Sequence, residues 1–173
     1  MDERIKNGET LDPAPSVIVR FIQSAARKTW PSEIGLFQEY FEHFGCELGV
    51  VTDPAGTEPP AVTQGFFMTA EMRTDGASWF ALDGLLCGIN FFAYEHEREV
   101  PTAVIAGYEG VRAGLIGLFG QSPDERADRR GNRAAAWRTQ DVLIELYAHV
   151  TVAPALQVGI SHRERTAVLA GVR

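Results

Sequence analysis

The run from Trp79 to Phe119 constrains this chain more than any other. Its first part, Trp79 to Tyr94, is read as one long strand. The second half of that strand, Leu85-Leu86-Cys87-Gly88-Ile89-Asn90-Phe91-Phe92, places apolar side chains on both faces, the pattern of a central strand in a sheet. A charged corner, Glu95-His96-Glu97-Arg98-Glu99, separates it from a predicted amphipathic helix over Pro101–Phe119. Val104, Tyr108, Val111, Leu115, Leu118 and Phe119 form the apolar stripe of that helix, which is suited to cover one face of the sheet. Gly107, Gly110, Gly114 and Gly117 weaken it as an isolated helix but let it lie close on a sheet. Glu109 and Arg112 argue against a membrane span.

Upstream, Ile18, Phe21, Ile22 and Ala25 fall at helical spacing after a capping Ser16, while the β-branched Val17-Ile18-Val19 also suit a strand. Ser32 and Glu33 predict a helix start, Ile34, Phe37, Phe41 and Phe44 its apolar stripe, and Gly45 its end. A short strand over 46–51, a loop from Thr52 to Pro60 and a strand over 62–73 follow. Asp75-Gly76 is read as the hairpin turn into the long strand, and Gly84 and Gly88 as marks of a bulge or a close backbone approach. Residues 121–133 are charged without apolar spacing and read as a solvated loop. Strands over 134–138, 141–150 and 156–161 complete the order, and no internal repeat is evident. Strands joined by short turns pair antiparallel. The expected fold is therefore α+β, one twisted antiparallel sheet with helices mostly on one face, as a single domain over 16–173 behind a mobile arm over 1–15.

Composition narrows the function. A net charge of −7 disfavours nucleic acid as partner and suits a basic protein. The polar N-terminus and the lack of a run of about 18 apolar residues predict a cytoplasmic chain with no membrane partner. Cys46 and Cys87 are expected to be buried free thiols. A His43–Cys46 nucleophile–base pair is disfavoured, because the negative end of a helix opposes a thiolate there. His149 and His162 should lie at opposite ends of a hairpin, too far apart for one metal. No HExxH, Walker or GxSxG pattern occurs. A non-enzymatic binding protein with no cofactor and no metal is the resulting expectation. Glu95, Glu97 and Glu99 have two readings: carboxylates stabilised by the following helix N-terminus, or an acidic prong for a basic cleft.

The order of segments carries a resemblance. An aromatic helix runs into Phe44-Gly45-Cys46-Glu47, a hairpin leads to Leu85–Phe92, a helix ends in Leu118-Phe119-Gly120, and Ala136-Trp137-Arg138 precedes a last hairpin. In this the chain resembles small actinobacterial immunity proteins, which neutralise polymorphic secreted toxins, among them mycobacterial NAD glycohydrolases. The resemblance spans roughly residues 32–165 and implies a 1:1 complex with a cognate toxin whose active site is blocked. Asp53, Glu58, Glu95, Glu97 and Glu99 are the candidate partner contacts, as acidic loop residues suited to a basic, phosphate-binding cleft. The alternative readings are a small acidic secretion chaperone and an enzyme with a scattered site.

Overall fold

The structure, a computed structural model, describes residues 11–55, 61–72, 74, 76–95 and 101–170, with 52–55 and 170 described by backbone alone. Helix α1 (Pro15–Arg27) is followed by a 3-10 turn (Ile34–Leu36) running into α2 (Phe37–Glu42). Four strands then form a meander: β1 (Cys46–Ala55), β2 (Val62–Thr69), β3 (Ser78–Leu82) and β4 (Leu85–Ala93). Helix α3 (Thr102–Phe119) leads to a second meander of β5 (Asp124–Ala127), β6 (Arg133–Arg138), β7 (Val142–His149) and β8 (Ala155–His162), and α4 (Arg163–Ala170) ends the described chain. All pairings are antiparallel, in the order β1-β2-β3-β4-β8-β7-β6-β5. This is the expected α+β sheet. It contains a regularity the residues did not betray: a four-stranded meander occurs twice, after α1, the 3-10 turn and α2 in the first half and after α3 in the second, and the two last strands meet at the centre.

Alternation decides which face is covered. Ile89, Phe91, Ile144, Leu146, Val158 and Ile160 are buried and share one face, beneath α1 and α3. Phe21 of α1 stacks on Phe67 at 6.2 Å and meets Phe91 edge-on at 5.4 Å, while Phe37 of α2 meets Trp79 edge-on at 5.0 Å. Aromatic pairs in these geometries add to the area they bury. Of the expected stripe of the second helix, Phe37 and Phe41 are core, Phe44 is half-buried and Ile34 is exposed; Tyr40 beside the stripe is core as well. Gly35 sits in the first turn and the chain there is 3-10, so the helix is shorter than its periodicity suggested.

Several expected boundaries move for local reasons. The long strand is two strands. Asp83 and Gly84, at φ 48° and 82°, make the two-residue turn that Asp-Gly favours when both residues take left-handed conformations. The first strand runs through Asp53 to Ala55 where a loop was expected. The charged 121–133 stretch is not all loop either: residues 124–127 form β5, an edge strand, so it shows none of the apolar alternation of a half-buried one. Segment 15–27 is helix, opened by Pro15 at its first position, and Ser16 is not its cap. Pro13, assigned to the arm, is buried, and its carbonyl accepts a hydrogen bond of 2.6 Å from the Tyr94 hydroxyl. After the last strand comes α4, held by Arg165, whose guanidinium donates to the carbonyls of Trp30, Pro31 and Leu86 at 2.7–3.0 Å.

Two of the glycines of α3 serve another helix rather than the sheet. A Cβ on Gly110 would lie 2.7 Å from Pro15, and one on Gly114 would lie 2.6 Å from Val19, both on α1. A Cβ on Gly107 would lie 2.1 Å from the Tyr94 ring, which its hydrogen bond to Pro13 holds in place. Arg112 forks onto Glu125 at 3.1 and 2.9 Å, and Glu109 pairs with Arg133, tying α3 to β5 and β6. By length and mean hydropathy, 1.2 over 18 residues, α3 is also long and apolar enough to cross a membrane; in the fold it packs on α1, β7 and β8.

Gly107→Ala is expected to destabilise the fold by about 1–3 kcal/mol through overpacking. Gly117→Ala, at a helical position with nothing near the added carbon, should stabilise it by up to about 1 kcal/mol. Urea denaturation midpoints of the two variants, which should move in opposite directions, check both.

Candidate partner-binding surface

Reactive groups are dispersed. The Cys46 thiol is buried, donates to the Phe44 carbonyl at 3.8 Å, and is pushed up to about 11 chiefly by burial. Cys87 is buried too, donates to the Leu85 carbonyl at 3.2 Å, and has its thiol raised for the same reason. A thiol held protonated at neutral pH is a poor nucleophile. His149 pairs with Ala155 and His162 with Val142, so the two rings stand at opposite ends of the β7–β8 hairpin, about 20 Å apart at about 3.3 Å per residue. Among the described residues no three His, Cys, Asp or Glu side chains converge as a metal site would require.

His162 lies edge-on to Trp30 at 5.9 Å. Burial, then the Arg165 guanidinium, hold its basicity below the ordinary range. A depressed histidine opposes folding in acid: below about pH 6.5 the unfolded chain takes up a proton that the folded chain refuses.

The five acidic candidates do not form one prong. Asp53 belongs to β1 rather than to a loop. Glu95 is exposed just beyond β4, next to Tyr94, which has φ 58°. Glu58, Glu97 and Glu99 lie outside the described residues. Asp53 and Glu95 are on opposite sides of the β1–β4 meander, separated by the width of β2 and β3.

A different surface stands out. The sheet face away from α1 and α3 carries a polar ladder at its centre, where His149 bonds Gln157 at 2.8 Å and Gln157 donates to Asn90 at 3.0 Å. Towards β1 the same face turns apolar. Phe66 is 53% exposed, Met68 57% and Val50 77%. Two residues of β1, Gly49 and Val50, oppose the single Phe66 of β2, a bulge at which a Cβ on Gly49 would lie 3.5 Å from the Phe66 Cβ. Glu47, exposed, faces Met68 directly across the ladder. Sequence reading missed this patch. Phe66-Phe67-Met68 reads as an apolar run, and only the register shows that Phe67 points into the core while its two neighbours face out. Compared with known protein families, curated proteins and solved structures, the chain matches none.

Two outcomes follow from the buried groups. Cys46 and Cys87 should resist iodoacetamide at pH 7.5 in the native protein and react within minutes in denaturant, as read by intact mass. The urea midpoint should fall between pH 7 and pH 5, and fall less in His162→Phe than in wild type.

Proposed function

We propose that this protein is a stoichiometric binding protein of the immunity type, which occupies a cognate secreted toxin and blocks its active site in the producing cell. The exposed Val50–Phe66–Met68 patch carries the reading. Large apolar side chains more than half exposed on an uncovered sheet face are what a protein partner covers. The net charge of −7 supports a basic partner, as a phosphate-binding enzyme such as an NAD glycohydrolase would be. Inhibition then needs no chemistry from this chain, only steric occlusion and electrostatic steering. Asp53, Glu58, Glu95, Glu97 and Glu99 are the acidic residues proposed to contribute to that steering, through the net negative field of the chain rather than as one cluster.

The ten-residue edge strand β1 favours a second reading, a secretion chaperone that holds an extended segment of its client. A folded toxin domain, captured at 1:1 from native cells by the tagged protein and losing turnover on titration, is the outcome the immunity reading requires. A client held only through an unfolded segment would select the chaperone instead, and self-association with no client would remove both. With the toxin in hand, reversing Glu95, Glu97 and Glu99 together to lysine should slow association about tenfold or more at low salt. An unchanged association rate would remove that corner from the contact.

A further inference from the structure

The acidity of this chain is not spread over it. Between Lys28 and Arg73 there are seven acidic residues and no lysine or arginine; the remaining residues balance at 16 of each sign. The whole net charge of −7 therefore belongs to the segment that forms the 3-10 turn, α2, β1 and β2. Glu33, Glu39, Glu42 and Glu47 are exposed, and among the described residues none of them pairs with a cation. The exposed apolar patch of Val50, Phe66 and Met68 lies in this same segment.

The two rims of the sheet also differ. β5 is four residues long and closed off by charge: Arg126 forks onto Asp124 at 3.0 and 3.1 Å, and Glu125 holds Arg112. Short, charged edges of that kind resist pairing with another chain. β1 is ten residues long and pairs only with β2 among the described residues; Val50 and Val51 are exposed at 77% and 45%. Two register shifts interrupt it, one between Leu48 and Val51 and one between Thr52 and Ala55, and Pro54 has no N–H to donate, so the usable template is its first part, Cys46 to Thr52.

We propose that β1 is a docking edge for a cationic partner strand: an extended segment with apolar residues at alternate positions and lysine or arginine between or beside them. It adds to the sheet along β1. Backbone hydrogen bonds supply pairing, and its apolar side chains cover Val50, Phe66 and Met68. Its cations meet Glu47 and the carboxylates of α2, which attract it from a distance and reject acidic strands. The inference rests on the partner-binding reading above and names the surface and the chemistry that reading leaves open.

The test is a selection of random twelve-residue displayed peptides against the intact protein, followed by synthesis of the enriched sequences. The expected result is enrichment of net-positive peptides with alternating apolar residues. Their binding should raise amide hydrogen-exchange protection along β1 and weaken as salt rises from 50 to 500 mM. It should also fall about tenfold or more in the double variant Phe66→Lys, Met68→Lys. Both replaced side chains are more than half exposed, so that variant should keep the wild-type urea midpoint. No enrichment, enrichment without a cationic bias, protection confined to the α1–α3 groove or the β6–β8 face, or affinity unchanged in the double variant would each overturn the proposal. The two readings fail separately. A toxin neutralised equally by wild type and double variant keeps the immunity reading and removes this edge from it; peptides that dock on β1 with no toxin to be found do the reverse.

Discussion

Along the six residue pairs from Gly88–Ser161 to Ala93–Leu156, β4 and β8 join two meanders that would otherwise each end in an open edge. The core condenses around that seam. Ile89 faces Ile160 and Phe91 faces Val158, all buried, and the α1–α3 pair lies over the same face. A single four-stranded meander with its own helices has little apolar area to bury; two of them sharing a ladder give their last strands a neighbour on both edges at once. The second half must therefore form for the first to be stable, although β4 and β8 are more than sixty residues apart.

Close approach of α1 to α3 is what allows one helix layer to serve both halves. Gly110 and Gly114 admit Pro15 and Val19, and Gly107 admits the Tyr94 ring. Each glycine lowers helix propensity, and tertiary packing overrides that local cost. At the far end Arg165 satisfies three carbonyls from two distant segments and raises the cost of protonating His162 beside it. Neither contact involves a carboxylate partner, and neither would be read from charge patterning.

Legibility followed periodicity. The buried face of α1, the stripe of α3 from Val104 to Leu115 and the β7–β8 hairpin were all readable, since each is a regular pattern in contact with one core. The Asp83-Gly84 turn was hidden because apolar residues flank it on both sides and its strands pack on two faces. β5 was hidden because an edge strand needs no apolar alternation. For the site, the acidic character of the chain was visible, and so was the small number of reactive groups. The patch on β1 and β2 was not, because which of Phe66, Phe67 and Met68 reaches solvent depends on register across the ladder.

By itself the sequence determined the fold class, most of the helix and strand faces, the buried thiols and the excess of acid, because these depend on residue type and local spacing. Tertiary structure alone decided that a meander occurs in each half, that α1 fills the notch at Gly110 and Gly114, and that exposed apolar side chains gather at the rim the acidic segment forms. Each of those depends on pairing between residues far apart in the chain, and strand register, which a shift of one residue would invert, is set only when the whole sheet closes on its core.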